Sequence, residues 1–211
     1  MENWLDLHQL VALVRKKGYW VLKKIISKKI KNSINTVPDF PKKGIMFRDI
    51  TSLIKNTRVF KIVIDEIIRV AKEKKINKVV GIDSRGFIFA APIAYKMKIP
   101  LILVRKKGKL PSSSYKVKYA LEYDFDILEI NKDSINKTDR IMVIDDLIAT
   151  GGTAVATSKL ISKSSSKKIE FVFVIELEDL PGVAKIKKLG HVVTTLCSFK
   201  EEEKWLLNLV S

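Results

Sequence analysis

Residues 142–153, MVIDDLIATGGT, join an apolar strand to a helix through a short turn that contains two glycines. The strand ends in two adjacent carboxylates, Asp145 and Asp146, and Thr153 opens the helix. Two glycines let backbone N–H groups close around a phosphate, and a helix N-terminus adds partial positive charge. Because the carboxylates would repel a bare phosphate, we expect them to bind ribose hydroxyls or Mg²⁺. The stretch therefore predicts a sugar-phosphate site at the end of a strand.

Two common nucleotide-binding motifs do not match this stretch. A P-loop requires G-x-x-x-x-G-K-[ST], whereas Gly151, Gly152 and Thr153 are followed by Ala154. A dinucleotide-binding turn requires G-x-G-x-x-G, which the stretch also lacks. The sequence therefore indicates a phosphate-binding turn of another class.

The chain on both sides of the stretch alternates helices with short apolar strands. Helices are predicted at 59–74, 86–96 and 153–162, strands at 78–83, 99–104, 140–144 and 169–176, and a polar loop at 106–118. Strands that alternate with helices form parallel sheets, with ligand sites at the carboxyl ends of the strands. We therefore predict an α/β fold in which a twisted, mostly parallel sheet is flanked by helices.

The composition limits the possible partners and the compartment. The 211 residues contain 40 Lys and Arg against 23 Asp and Glu, a net charge of +17. Clustered basic residues mark nucleic-acid surfaces, but these are mostly lysines spread over nearly every segment, so we expect solvated faces and no nucleic-acid partner. One cysteine, Cys197, excludes an intrachain disulfide, and with two histidines an ordinary zinc cluster is not expected. We therefore expect a reduced, cytoplasmic protein.

Residues 1–32 form a basic amphipathic N-terminal extension, and residues 33–211 form the remaining domain. Apolar residues recur at roughly helical spacing, namely Trp4, Leu7, Val11, Val14, Leu22, Ile25, Ile26 and Ile30. Lysines stand between them at positions 16, 17, 23, 24, 28, 29 and 31. We predict two helices broken near Gly18, whose apolar stripe docks on the main body rather than on a membrane surface. No apolar run reaches the ~18 residues that a membrane span needs, and no secretory signal is expected.

Five segments, in order, resemble the type I phosphoribosyltransferases, and among them the members that act on adenine. Besides 142–153 they are VPDFPKKGIMFRDIT at 37–51, GIDSRGF at 81–87, RKKGKLP at 105–111 and ALEYD at 120–124. The resemblance covers about residues 33–195. It implies the type I phosphoribosyltransferase fold, with a small hood around residues 37–51 and an active domain over 33–211.

The resemblance also implies a reaction in purine salvage. The phosphoribosyl group of phosphoribosyl diphosphate (PRPP) would pass to adenine, giving AMP and diphosphate. Mg²⁺ would be bound mainly through substrate oxygens rather than directly by the protein. A loop that closes over the reactants would exclude water, and the protein would be a homodimer.

The same resemblance implies which residues bind PRPP. The 5′-phosphate would be held by Ala149, Thr150, Gly151, Gly152 and Thr153, and the ribose hydroxyls by Asp145 and Asp146. Diphosphate would be bound by Ser84, Arg85, Arg105 and Lys109. Arg105 and Lys109 would reach the diphosphate of their own subunit or that in the site of the neighbouring subunit. A cis peptide is implied between Asp83 and Ser84.

Glu122 is the candidate general acid or base by this resemblance, and it would exchange a proton with adenine N7. The relatives commonly have Gly where Asp124 stands, and an added negative charge there would raise the pKa of Glu122. Adenine would be bound by the side chains of Phe47 and Leu147 on its two faces. The backbone groups of Met46 and Arg48 would read its edge.

Two alternatives stay open at the level of the sequence. The first is a phosphoribosyltransferase for another purine, such as xanthine, guanine or hypoxanthine, because adenine specificity rests on the resemblance alone. The second is a PRPP-sensing regulator on the same fold that binds nucleic acid, which would use the +17 charge and residues 1–32. Those residues are too few for an independent winged helix.

Overall fold

The structure, a computed structural model, describes residues 7–111, 113–120, 125–164 and 168–200, with side chains from Gly18 onward except that of Ala120. The chain divides into two compact units, Met1–Val59 and Phe60–Ser211. The predicted boundary between residues 32 and 33 falls inside the first unit and stays a prediction. Each unit is described by itself.

The first unit contains a long helix and a small sheet. Helix α1 (Leu7–Lys31) precedes strands β1 (Asn35–Val37) and β2 (Phe47–Asp49) and the short helix α2 (Thr51–Lys55). Strands β1 and β2 pair antiparallel, with Asn35 opposite Asp49 and Val37 opposite Phe47. This two-stranded sheet lies in the segment for which a hood was predicted.

Helix α1 runs through Gly18 without interruption, so the predicted break near that residue is wrong. A glycine inside a helix costs only about 1 kcal/mol relative to alanine. The neighbouring residues, which include Lys16, Lys17 and Leu22, are mostly tolerated or favoured in helices, so one glycine does not end the helix.

The second unit is built around a seven-stranded sheet with the order β5-β6-β4-β3-β7-β8-β9. Its strands are β3 (Lys78–Ile82), β4 (Leu101–Lys106), β5 (Ser114–Ala120), β6 (Phe125–Asn131), β7 (Ile141–Ile148), β8 (Glu170–Leu177) and β9 (Val192–Phe199). Its helices are α3 (Thr57–Glu73), which begins just before the division, α4 (Gly86–Met97), α5 (Gly152–Ser162) and α6 (Gly182–Lys188). Strands β4, β3, β7, β8 and β9 are parallel, whereas β5 and β6 are antiparallel to their neighbours. The predicted mostly parallel α/β fold is confirmed.

The end of the predicted polar loop at 106–118 is wrong, because β5 begins at Ser114. It pairs with β6 from Ser114 opposite Asn131 to Ala120 opposite Phe125. Tyr115, Val117 and Tyr119 alternate along β5 and pack against the core. This period of two, which is the mark of a strand with one buried face, is the signal that the sequence analysis missed.

The hydrophobic core is formed on the parallel strands. Val79, Val80, Val143, Phe171 and Val174 are all fully buried, as expected for strands covered on both faces. The centre of the sheet places β3 next to β7, with Gly81 opposite Ile144. The chain segments that follow these two strands therefore leave the sheet side by side.

No helix in the described residues is long and apolar enough to cross a membrane.

Candidate active site

Asp145 and Asp146 lie near the carboxyl end of β7, where the sequence predicted them. The Asp146 backbone N–H donates a hydrogen bond of 2.9 Å to Asp145 Oδ1. The Asp146 side chain is 5% exposed, whereas Asp145 is half-buried. Burial raises the pKa of Asp145 well above its usual value, and the neighbouring charge of Asp146 raises that pKa further. Burial also raises the pKa of Asp146, against the opposing effect of Arg85.

Arg85 faces the second of these carboxylates. Its Nε atom lies 3.0 Å from Asp146 Oδ2. Arg85 stands directly before α4 and follows the peptide between Asp83 and Ser84, which is cis as the resemblance implied. The prediction that Arg85 occupies a strand-to-helix turn is confirmed.

Gly86 permits this close approach of α4 to β7. A Cβ at position 86 would lie 2.5 Å from the carbonyl oxygen of Ile144 and 3.1 Å from Asp145 Oδ1. Real Cβ atoms do not come that close to backbone oxygens, so any larger residue would push α4 away from the strand. The glycine therefore positions Arg85 beside Asp146.

The turn at 149–153 is held by a pair of glycines, Gly151 and Gly182. Gly151 has a φ of +80°, and a Cβ there would lie 2.7 Å from the Cα of Gly182. In return, a Cβ on Gly182 would lie 2.3 Å from the Ala149 carbonyl oxygen, to which the Gly182 N–H donates a hydrogen bond of 3.0 Å. The turn thus packs directly on the start of α6 and leads into α5 at Gly152, whose first-turn N–H groups have no carbonyl of an earlier helical turn to bond.

One cavity of about 220 Å³ joins the acids to the turn. Its lining includes every residue for which PRPP binding was predicted in this stretch, together with Arg85. These residues are Arg85, Asp145, Asp146, Ala149, Thr150, Gly151, Gly152 and Thr153, and Leu147, which was predicted to bind adenine, also lines the cavity. The structure therefore brings the glycine-containing turn, two carboxylates and a guanidinium to one site.

A second cavity of about 350 Å³ shares Arg85, Asp145, Asp146 and Thr153 with the first. The cis peptide contributes Asp83 and Ser84 to it, and the sheet edge contributes Lys106, Tyr119, Asp126 and Leu128. The two cavities thus share an acidic centre, and their linings add the turn at 149–153 in the first and Lys106 in the second.

The sequence analysis missed Lys106, Tyr119 and Asp126 as residues of the site. The Tyr119 hydroxyl lies 3.4 Å from Asp126 Oδ2, and the Lys106 Nζ atom lies 3.4 Å from the same oxygen. Burial raises the pKa of Tyr119, which also hydrogen-bonds Thr153. Tyr119 and Asp126 reach the site through the β5–β6 pairing, which was not predicted. Lys106 reaches it from the end of β4, where it lies opposite Leu128 of β6.

Arg105 and Lys109 are placed differently from each other. The Arg105 Nε atom donates a hydrogen bond of 2.8 Å to Asp83 Oδ2, and this pairing holds the pKa of Asp83 below its usual value against the effect of burial. Its guanidinium also lies over the Phe87 ring, 5.6 Å from the centroid. Lys109 is exposed in the turn after β4. Their predicted role toward diphosphate stays a prediction.

The residues predicted to bind adenine belong to both units. In the first unit, Phe47 meets Phe40 edge to face, with ring centroids 5.1 Å apart, and the buried Arg48 donates a hydrogen bond from Nη1 to Thr36 Oγ1. Met46, which directly precedes β2, is half-buried. In the second unit, Leu147 lines the smaller cavity. Glu122 and Asp124 lie outside the described residues, so their roles stay predictions.

Comparison with known proteins identifies the family. Residues 50–203 match the family model described as phosphoribosyl transferase domain. The chain therefore belongs to the phosphoribosyltransferase family. Within that family it is similar to adenine phosphoribosyltransferases. That of Nitrosomonas eutropha is 48% identical over 172 residues, which cover 82% of this chain and 99% of the relative. That of Haemophilus ducreyi is 50% identical over 170 residues, which cover 81% and 95%.

Solved structures agree with this assignment. The adenine phosphoribosyltransferase of Thermoanaerobacter pseudethanolicus has a TM-score of 0.76 and 38% identity, covering 82% of this chain and 99% of its own. The enzyme of Saccharomyces cerevisiae, solved with an imino-altritol bisphosphate and adenine, has a TM-score of 0.76 and 34% identity, with the same coverage. The type I phosphoribosyltransferase fold predicted from the sequence is confirmed.

Proposed function

We propose that this chain transfers the phosphoribosyl group of PRPP to adenine, which gives AMP and diphosphate. The observation that carries the proposal is the cavity in which Asp145 and Asp146 meet the turn at 149–153. In the reaction, the bond between adenine N9 and C1′ forms, the bond between C1′ and the diphosphate oxygen breaks, and adenine gives up its imidazole proton at N7, for which the Glu122 carboxylate is the proposed acceptor. Positive charge develops on the ribose and negative charge on the leaving diphosphate.

Asp145 and Asp146 act on the ribose. Their carboxylates accept hydrogen bonds from the ribose hydroxyls and face the positive charge that develops at C1′. Because burial raises both pKa values, the ionised pair is costly until a positive charge appears nearby. The interaction is therefore stronger in the transition state than in the ground state, which is the condition for catalysis.

The turn and Arg85 fix the two phosphorylated ends of PRPP. Backbone N–H groups and hydroxyls at Thr150 and Thr153 bind the 5′-phosphate, and the helix N-terminus favours its charge. The Arg85 Nε atom lies 3.0 Å from Asp146 Oδ2, and the planar guanidinium can also bind diphosphate oxygens, which would bridge the two groups. Arg105, Lys109, Ser84 and Lys106 supply further donors to the diphosphate.

Mg²⁺ belongs to the proposal as a group carried mainly by PRPP. Mg²⁺ in proteins usually binds one or two carboxylates together with substrate phosphates, and Asp145 and Asp146 supply carboxylates of that kind. When bound, the ion neutralises charge that develops on the diphosphate.

Glu122 exchanges a proton with adenine N7, and the enzyme works as a cytoplasmic homodimer.

Recognition of adenine rests on Met46, Phe47, Arg48 and Leu147. Phe47 and Leu147 offer apolar surfaces for the faces of a flat base. A 6-amino purine presents a hydrogen-bond donor where a 6-oxo purine presents an acceptor, so backbone groups of Met46 and Arg48 can distinguish the two. A buried polar group left without a hydrogen-bond partner weakens binding enough for the site to discriminate between a 6-amino and a 6-oxo purine.

The test is to incubate the protein with PRPP, Mg²⁺ and one base at a time, and to follow nucleotide formation by chromatography. AMP from adenine, with far slower product formation from hypoxanthine, guanine and xanthine, is expected. Product from a 6-oxo purine but not from adenine would assign another base. Absence of any product together with salt-sensitive DNA binding would favour the PRPP-sensing regulator.

A further inference from the structure

Helix α1 lies before residue 50, where the match to the family model begins. All of its charged residues are basic. The helix contains Arg15 and seven lysines but no Asp or Glu over its 25 residues. The seven lysines all lie between residues 16 and 31 of the helix. Such a helix attracts a strongly anionic partner.

The helix exposes apolar side chains as well as lysines. Val21, Leu22 and Ile25 are 50%, 51% and 47% exposed, and their spacing places them on one helical face. We call these three residues the α1 stripe. The same face continues on the next turn with Lys28 and Lys29, both exposed. In the sequence, Leu7, Val11 and Val14 precede the α1 stripe at helical spacing.

The predicted docking on the main body is wrong for Leu22 and Ile25, which are exposed, so the α1 stripe is not the face on which the helix packs. Ile30 is fully buried and Ile26 half-buried, and both lie on a different side of the helix from Val21 and Ile25. Among the described residues, the helix thus has one packed side and a separate apolar side that is exposed. Lys24 lies over the exposed ring of Trp20, 3.7 Å from the centroid.

We propose that α1 binds the surface of an anionic phospholipid membrane, with the α1 stripe in the headgroup region and its lysines on lipid phosphates. Amphipathic helices with Leu and Val on one face and lysines around it lie in the membrane interface in this way. Lys28 and Lys29, at the end of the stripe, can extend their charged ends to phosphates while their stems stay on the apolar face. The proposal is independent of the reaction catalysed by the chain.

Two other occupants fit α1 less well. A second copy of the helix would bring two sets of like charges together without an acidic residue on either side. Nucleic acid would pair with the lysines, but phosphate-backbone binding makes no use of exposed Val, Leu and Ile. A lipid surface uses both the charge and the apolar side chains.

The first experiment is sedimentation of the full chain with vesicles. Vesicles of phosphatidylcholine alone are compared with vesicles of phosphatidylcholine and phosphatidylglycerol, each at low and high salt. We expect binding to the anionic vesicles only, weakened by salt because the lysine contribution is screened. Equal binding to both kinds of vesicle, or binding to neither, would overturn the proposal.

The second experiment removes the α1 stripe. Leu22→Gln combined with Ile25→Gln keeps good helix formers and is expected to weaken binding to anionic vesicles at least about tenfold, since each buried apolar side chain contributes that much or more. The matched control is Leu180→Gln with Leu189→Gln, two exposed leucines outside α1, which should bind as the unaltered chain does. Undiminished binding by the stripe variant would contradict insertion of the stripe.

The third experiment separates local charge from total charge. Changing Lys23, Lys24, Lys28 and Lys29 to Gln is expected to weaken binding at least about a hundredfold, because each lysine near an anionic leaflet contributes roughly a factor of five. The control changes four exposed lysines elsewhere to Gln, namely Lys72, Lys137, Lys187 and Lys188. An equal loss in the control would show that bulk charge, not α1, binds the vesicles.

Circular dichroism and light scattering without vesicles check the fold and oligomeric state of each variant. If the stripe variant changes the oligomeric state while vesicle binding persists, the α1 stripe joins two copies of the chain, and the membrane proposal is wrong.

Discussion

The Arg85 Nε atom lies 3.0 Å from Asp146 Oδ2, in a pair whose acid is almost fully buried and whose base is 42% exposed. The two residues come from the ends of different strands, and they meet because β3 and β7 are neighbours. The exposed part of the guanidinium faces the cavities in which PRPP is proposed to bind. The pair therefore links the proposed ribose and diphosphate sites.

Asp146→Asn should lower kcat/KM for PRPP by about a hundredfold, which is typical for the loss of one transition-state charge contact. Asn keeps the shape and one hydrogen-bonding oxygen but cannot oppose positive charge on the ribose. The free energy of unfolding should change little, because the lost carboxylate was costly to bury. Steady-state kinetics and denaturant unfolding measure the two effects, with the exposed Asp133→Asn as control. Unchanged kcat/KM would contradict the assignment.

Arg85→Lys keeps the positive charge but loses the planar fork, so it should not behave as a conservative change. A lysine cannot contact Asp146 and diphosphate oxygens with fixed geometry, and we expect KM for PRPP to rise about tenfold or more. KM for adenine should stay close to its original value. Arg140→Lys, at an exposed position, controls for the change of side chain, and an equal rise of both KM values would speak against a diphosphate contact.

Glu122→Gln tests proton exchange with the base. Gln has the same shape but cannot accept or release the proton, so kcat should fall by about 10²-fold or more, while KM for adenine changes much less. The acidic limb of the pH profile of kcat should move or disappear, which a purely structural role would not cause. Full activity of this variant would remove Glu122 from the mechanism.

The strand, turn and helix at residues 142–153 were predictable because their signals are local. The sequence placed a strand at 140–144 and a helix at 153–162, and the structure has Ile141–Ile148 and Gly152–Ser162. The strand is longer than predicted because Leu147 and Ile148 pair with Ile175 and Glu176 of β8. Pairing with β8, which is distant in the sequence, extends β7 beyond its two acidic residues. The local sequence pattern does not predict this extension.

The remainder of the site depends on contacts between distant segments. Arg105 donates to Asp83 across two neighbouring parallel strands, so its partner is invisible in the sequence around either residue. Tyr119 and Asp126 reach the cavity because β5 and β6 pair with Tyr119 opposite Asp126. Strand β9, VVTTLCSF, was not predicted either, although its β-branched residues favour a strand. Register and strand order, which local propensity does not contain, decide these positions.

Gly86→Ala should destabilise the protein and impair PRPP use together. The added Cβ would meet the Ile144 carbonyl oxygen at 2.5 Å, so α4 must move and carry Arg85 away from Asp146. Overpacking of this kind costs about 1–3 kcal/mol, seen as a lower midpoint of denaturant unfolding. Gly18→Ala is the matched control, because nothing lies within 4 Å of the added atom and alanine favours the helix. Equal unfolding midpoints for the two variants would contradict the close packing at Gly86.

His191 should make folding stability depend on pH below about 6.5. The Ile169 N–H donates to its Nδ1 atom at 3.3 Å, so the neutral ring carries its proton on Nε2, which lies 2.7 Å from Ser158 Oγ. Burial lowers the pKa of His191 from 6.5, and the charge of Lys168 lowers it further. Between the lowered folded pKa and the unfolded value near 6.5, the unfolded chain binds more protons. Stability should therefore fall as the pH decreases through this window.

The measurement is the free energy of unfolding by denaturant from neutral to mildly acidic pH, together with an NMR titration of the His191 ring. In His191→Asn, whose side-chain oxygen can still accept from the Ile169 N–H, the part of the pH dependence that begins near 6.5 should vanish, while the part due to carboxylates at lower pH remains. A ring that titrates at or above 6.5 in the folded protein would reverse the sign, because protonation would then stabilise the fold. The same slope in both proteins would show that other groups cause it.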